Sequence, residues 1–188
     1  MVQKFSILNG VLLGAIQTPS PNFNTREQSV ILDLLVIHNI SLPPARFGGG
    51  YIEQFFQNKL NIEQDPFFTE IANLKVSAHL LVNRAGEVTQ FVNFNDRAWH
   101  AGVSSYQGRE NCNDFSIGIE LEGTDDMPFE DCQYQVLAKI SALLEMNYPA
   151  INVASALGHS QIAPGRKTDP GKCFDWSHYQ ALWNEYIK

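Results

Sequence analysis

Apolar positions along this chain fall into runs of two periods. Residues 31–37 are continuously apolar except for Asp33 and rich in β-formers, which predicts a central strand buried on both faces and ending at His38. Residues 77–82 and 87–92 predict two strands joined by the turn Asn83-Arg84-Ala85-Gly86. Residues 115–122 alternate. Phe115, Ile117, Ile119 and Leu121 share one face, while Ser116, Gly118, Glu120 and Glu122 share the other, where Gly118 leaves room beside Glu120. Helical spacing of Ile52, Phe55, Phe56, Lys59 and Leu60 predicts an amphipathic helix over 51–62, its aromatics in the core. Tyr134, Leu137, Ile140 and Leu144 make a longer stripe and predict a helix over 130–146. Residues 152–157 predict a last strand leading into Gly158-His159. Asp175 caps a final helix bearing Trp176, Tyr179, Leu182, Trp183 and Tyr186.

Between these elements, residues 5–16 read as a structured arm. The run resembles a signal peptide only loosely, since Asn9 and Gly10 interrupt it and no Ala-x-Ala site follows. Residues 17–28 read as an irregular lead-in. Residues 95–113 carry no periodicity but hold Arg97, Trp99, His100, Tyr106, Arg109 and Asn111, and a loop of that length points to function. Strands and helices follow one another without a linker or repeat. The fold class is therefore α/β: one domain over residues 1–188, with its core at about 19–187, and a mixed central β-sheet flanked by helices.

Composition narrows the function. The chain has 188 residues, 44% hydrophobic and 18% charged, enough for a substantial core. A net charge of −7 opposes nucleic-acid binding, although Arg166, Lys167 and Lys172 form a local cationic spot. No stretch approaches the ~20 apolar residues that span a bilayer, so no membrane partner is expected. Cys112, Cys132 and Cys173 form no CxxC pair and suit a reducing cytoplasm.

The chemistry concentrates in residues 158–171, where His159, Lys167 and Asp169 share a stretch that Pro164, Gly165, Pro170 and Gly171 keep from being a long helix. A catalytic zinc site takes three protein ligands and leaves a position for water. His38, His159 and Asp169 could supply them, with Cys173 a nominal rival. The same set could hold Fe(II), but no oxidative cofactor motif accompanies it, and hydrolysis is favoured. Lys167 could stabilise an oxyanion, and Glu120 could hold or deprotonate the attacking water. His79, between Ala78 and Leu80, reads as a buried hydrogen-bonded histidine. The ligands are scattered and no HExxH is present, so spacing by itself is a weak signal.

Five blocks sharpen it: residues 35–44 (LVIHNISLPP), 76–79 (VSAH), 97–104 (RAWHAGVS), 112–124 (CNDFSIGIELEGT) and 162–171 (IAPGRKTDPG). They closely resemble the AmpD family of 1,6-anhydro-N-acetylmuramoyl-L-alanine amidases, within the N-acetylmuramoyl-L-alanine amidase type 2 and peptidoglycan-recognition-protein-like group. The likeness runs from about Pro19 to Trp176. It implies a fold similar to peptidoglycan-recognition and phage-lysozyme-type amidases, one zinc per chain on His38, His159 and Asp169, and a catalytic pair at Glu120 and Lys167. The implied substrate is a small molecule, an anhydromuropeptide cut between the lactyl carbonyl and L-alanine by a cytoplasmic, monomeric enzyme of cell-wall recycling. Asn39, Trp99, His100, Ala101 and Gly102 match positions that line the substrate groove. Lys75 and Asn111 stand where arginines would grip the stem peptide's carboxylates, with Arg109 nearby, and Gln161 stands where an acid is more usual. The rival readings are an amidase of intact peptidoglycan and a non-catalytic binding module, which would be expected to lack a ligand.

Overall fold

A computed structural model describes residues 4–188. The chain begins with β1 (Ser6–Leu8) and β2 (Val11–Leu13), an antiparallel hairpin, then β3 (Ile16–Gln17), β4 (Phe23–Thr25) and the long β5 (Leu34–Ile40). Helices α1 (Tyr51–Phe56) and α2 (Phe67–Ile71) precede β6 (Leu80–Val82), β7 (Val88–Gln90), β8 (Asp96–Ala98), β9 (Ser105–Tyr106) and β10 (Arg109–Glu110). The last third holds β11 (Ser116–Glu122), α3 (Asp131–Asn147), β12 (Ala156–Gly158), α4 (His159–Ile162) and α5 (Trp176–Tyr186).

Six strands form a mixed sheet in the order β12-β5-β11-β6-β7-β3. The four from β12 to β6 are parallel, β7 is antiparallel to β6, and β3 is parallel to β7. One face carries Leu35, Ile37, Ile117, Ile119 and Leu121, which pack with Leu137, Ile140, Leu144, Tyr179 and Trp183 of α3 and α5. Each fully buried side chain of this size contributes about 1.5–3 kcal/mol. Leu34 and Val36 on the other face meet Ala101, Cys112, Phe115 and Ile162. A third cluster joins α1 and α2 to Leu42, Leu81 and Phe91.

The alternating strand and the two long helices fall within a residue or two of expectation, and Asp175 caps α5 by accepting from the His178 amide at 2.9 Å. Other elements differ. The strands expected over 77–82 and 87–92 are trimmed to β6 and β7. The central strand is shifted to 34–40, so His38 lies within it and Ile31 is 69% exposed, because pairing with β11 sets its limits. The helix expected over 51–62 stops at Phe56, where Asn58 turns to a positive φ of 59°. In the expected strand 152–157, residues 153–155 form a 3-10 turn and β12 occupies only its end. The arm over 5–16 is the β1–β2 hairpin with the start of β3.

Candidate metal centre and active-site cleft

Three neighbouring strand ends build the site. In the parallel register of β5 and β11, His38 stands beside Glu120, so both side chains leave the face opposite Ile37 and Ile119. On the other side, β12 sets Gly158 beside Ile37, and His159 follows at the strand's end. The C-terminal end of parallel strands is a common ligand position. Asp169 returns through a turn whose carbonyl accepts from Ser160 N at 2.9 Å. A β-carbon on Gly158 would lie 2.7 Å from Pro170 Cδ, so this glycine lets the turn close against β12. Gln161 completes the corner, its Oε1 accepting from Gly158 N at 2.8 Å, a role that explains this residue locally.

His38 Nδ1 lies 3.0 Å from His159 Nδ1 and 3.0 Å from Asp169 Oδ2, and His159 Nδ1 lies 3.1 Å from the same oxygen. These three residues form a group that could hold a metal ion, and Cys173 is not part of it. Zinc with tetrahedral bonds of ~2.0–2.1 Å sets its donors about 3.3 Å apart, so the three atoms need to separate by only a few tenths of an ångström. The ionisation of His38 and Asp169 suits ligation as well. Burial pushes the His38 imidazole down to about 4; the Asp169 hydrogen bond opposes this and His159 reinforces it. Burial would raise the Asp169 carboxyl, but hydrogen bonds with His159 and His38 outweigh it and hold the group below the usual range. Neutral imidazoles and an ionised carboxylate are the forms that bind metal.

Glu120 is 9% exposed, and its Oε2 makes no hydrogen bond with the described residues. Burial, followed by the Asp169 charge, pushes its carboxyl well above the ordinary range, while Lys167 works the other way. A cleft of about 250 Å³ opens over this group. Its polar wall is His38, Glu120, His159, Lys167 and Asp169, and its apolar wall includes Leu42, Phe55, Phe56 and Val76. Phe55 and Phe56 thus serve the core and the cleft together.

Of the other candidates, Asn39, Trp99 and His100 line the cleft. Asn39 Nδ2 donates to Asp125 Oδ1 at 2.7 Å, and Trp99 Nε1 to Asn24 Oδ1 at 2.6 Å. His100 fills the space that Gly118 leaves on β11 and reaches His38 Nε2 at 2.9 Å. Ala101 is fully buried, its carbonyl 2.9 Å from His159 Nε2. Gly102, Lys75, Arg109 and Asn111 are exposed and do not line the cleft. Arg109 instead pairs with Asp33 at 2.9 Å and lies over the Phe115 ring. Asn111 occupies a left-handed turn, φ 57°. Lys75 sits between Leu74 and Val76 at the rim.

Glu122, on the same face as Glu120, is a structural clamp that accepts from Gly48 N at 2.5 Å and Arg84 N at 3.1 Å. His79 is buried as expected, with Nδ1 accepting from Gly118 N and Nε2 against Asp96 O. Sequence reasoning missed Arg26, in the supposed irregular lead-in. Its guanidinium donates to the carbonyls of Asn113, Asp114, Asp96 and Ser116 and ties the 95–113 segment to the start of β11. Burial lowers it to about 10. No periodicity marks a single buried arginine.

Residues 27–172 match the N-acetylmuramoyl-L-alanine amidase family model. The chain is 54% identical over 173 residues to the 1,6-anhydro-N-acetylmuramyl-L-alanine amidase AmpD of Escherichia coli K12, covering 92% of this chain and 94% of that relative. A crystal structure of a selenomethionine derivative of AmpD superposes with a TM-score of 0.91 at 53% identity, over 94% of this chain and 98% of the other. Escherichia coli AmiD, in complex with anhydro-N-acetylmuramic acid-L-Ala-D-gamma-Glu-L-Lys, is 26% identical with a TM-score of 0.59, over 95% of this chain and 65% of the other. Together with the architecture, these matches show that the chain belongs to the N-acetylmuramoyl-L-alanine amidase family.

Proposed function

We propose that this chain is a zinc-dependent amidase that hydrolyses the amide between the lactyl group of 1,6-anhydro-N-acetylmuramic acid and L-alanine in anhydromuropeptides, a step of cell-wall recycling. The observation that carries the reading is the meeting of the His38–His159–Asp169 donor set with Glu120 and Lys167 in one cleft. Identity to AmpD over nearly the whole chain supports the substrate, as does the muropeptide held by AmiD.

His38, His159 and Asp169 would hold the zinc. Bound there, zinc supplies Lewis acidity toward the scissile carbonyl and lowers the pKa of water. Glu120 accepts the proton of the attacking water at its unpaired Oε2 and returns it to the departing nitrogen of L-alanine. Lys167 presents a cation to the charge that develops on the carbonyl oxygen. The apolar wall excludes bulk water from that side, which strengthens both interactions. Asn39, Trp99, His100, Ala101, Gly102, Lys75, Arg109 and Asn111 remain the substrate-contact candidates, the exposed cationic ones for the distal stem peptide. Lys75 carries charge without a bidentate fork, and Asn111 carries none, so the grip on terminal carboxylates is looser than two arginines would give. In this reading the enzyme works as a cytoplasmic monomer. No helix among the described residues is long and apolar enough to cross a membrane.

Metal analysis of purified protein, with cleavage assays on an anhydromuropeptide and on polymeric peptidoglycan, tests the proposal. Stoichiometric zinc and preferential cleavage of the small substrate are expected. Preference for polymer would instead identify a wall amidase, and zinc without cleavage a binding module.

A further inference from the structure

We propose that residues 20–24 are a strap that positions one wall of the cleft for substrate: Ser20 and Asn22 hold the backbone of Phe56 and Val76, and Asn24 aims the indole of Trp99. The inference rests on reading the cleft as the substrate site. It assigns Asn22 and Asn24 as positioning residues for binding rather than for the chemical step.

Ser20 and Asn22 are buried, each 3% exposed, while Phe23 beside them is 41% exposed, so this stretch turns its polar side chains inward. A buried polar group needs a partner for its donors and acceptors, and here the partners lie in the cleft wall. Ser20 Oγ accepts from Asn22 N at 3.1 Å and donates to Phe56 O at 2.5 Å. Asn22 Nδ2 donates to Val76 O at 2.8 Å and to Asn58 Oδ1 at 2.9 Å, and Asn58 Nδ2 returns a bond to Asn22 Oδ1 at 2.9 Å. Both ends of the excursion over 57–75 are thereby tied to one buried side chain. Phe56 and Val76, which flank that excursion, line the cleft, as do Ile71 and Leu74 within it.

The same strap reaches the next part of the wall. Asn22 O accepts from Ser77 Oγ at 2.7 Å, and that hydroxyl oxygen accepts from Trp99 N at 3.0 Å. β4 pairs with β8, Phe23 opposite Ala98, which brings Asn24 within reach of Trp99. Asn24 Oδ1 accepts from Trp99 Nε1 at 2.6 Å and from Arg97 Nη1 at 3.3 Å. An indole N–H can only donate. An acceptor at that edge therefore holds the ring, whose other end is anchored at the Trp99 backbone. Among the described residues, no side chain of this network bonds to His38, Glu120, His159, Lys167 or Asp169. The strap can therefore move the wall and leave the metal group in place.

The test is steady-state kinetics of the zinc-loaded enzyme on an anhydromuropeptide, joined to zinc content and the proton–nitrogen resonance of the Trp99 indole. It compares the wild type with the N22A, N22D, N24A and N24D variants. N24A should shift the indole resonance and raise KM about 2–10-fold, which is what one net hydrogen bond supplies. Its zinc content should be unchanged and its kcat within about twofold of wild type, the signature of lost binding alone. N24D keeps an acceptor at the same place and should recover wild-type KM and resonance. N22D keeps the size of Asn22 and an acceptor for Asn58 but cannot donate to Val76 O. It should therefore raise KM nearly as much as N22A, again with little change in kcat, a split that general destabilisation would not produce. Wild-type KM in both N22D and N24A overturns the proposal, as does a loss confined to kcat. Equal defects in N24A and N24D overturn the aiming of Trp99. Should the Asn22 variants not fold, N24A against N24D decides. If the wild type cleaves no anhydromuropeptide, the functional reading fails by itself, while the indole resonance and the affinity of these variants for the uncut compound still decide the strap.

Discussion

A β-carbon on Gly118 would lie 2.4 Å from Cγ of His100 and 2.5 Å from its Nδ1. The imidazole occupies the place a side chain would take on β11, which is how a residue from the 95–113 segment comes to touch His38 on β5. Gly118→Ala should therefore cost about 1–3 kcal/mol, the usual penalty for overpacking a tight interior, and should weaken zinc binding as His100 is displaced. Denaturant titration and chelator competition check both effects, and wild-type values would show that the ring is free to move.

Asp169→Ala should abolish zinc retention and hydrolysis together. The carboxylate is the only acidic member of the donor set, and its loss leaves two imidazoles and no neutralising charge. Full activity with bound zinc would remove Asp169 from the ligand set.

Lys167→Ala should keep its zinc and lower kcat by about 10²-fold or more, by analogy with loss of one oxyanion donor. Zinc content and steady-state kinetics on the same preparation make the comparison. An unchanged kcat places the cation outside the mechanism.

Glu120 and Glu122 leave the same face of one strand and should separate cleanly. Glu120→Gln should lower kcat by about 10²–10⁴-fold. It should not reduce stability, because the carboxyl it replaces is buried with an unpaired oxygen. Glu122→Ala should cost about 1–3 kcal/mol, since it strips the acceptor from the Gly48 and Arg84 amides, and its effect on kcat should be far smaller than that of Glu120→Gln. Equal kinetic effects would contradict this division.

Burial, reinforced by the Arg26 charge, pushes His79 down to about 3 from the ordinary histidine range. Below about pH 6.5 the unfolded chain takes up a proton that the folded chain refuses until about 3. Stability of the zinc-free protein should therefore fall as pH drops through that window, by up to about 1.4 kcal/mol per pH unit from this residue. His79→Asn keeps an acceptor for the Gly118 amide and removes the titration. It should be less stable than wild type at pH 7, and the gap should narrow by pH 5. Urea unfolding at both values decides the point, and a constant gap would assign the acid sensitivity elsewhere.

The alternation over 115–122 sorted Ile117, Ile119 and Leu121 to the helix-covered face and Glu120 to the other. It could not say whether that other face meets water or buried protein, since both have period two. The structure buries every residue of β11, so Glu120 is desolvated and Glu122 becomes a clamp. The run 31–37 marked a central strand but not its ends, because β5 is bounded by pairing with β11, some 80 residues away in sequence. His100 could be read as a groove-lining position through the family resemblance, but its contact with His38 could not, because it stands in an aperiodic segment.

From the sequence alone came the α/β class, the two long helices, the strand carrying Glu120 and the residue types of a metal site. These depend on local periodicity and on side-chain chemistry, and a chain displays both directly. Only the tertiary structure decided the β5–β11 register that sets His38 beside Glu120, the closing of Asp169 against β12, and the polar partners of each imidazole. Those are contacts between residues 58–131 positions apart or placed by a turn, and which donor meets which acceptor there depends on how the whole sheet pairs.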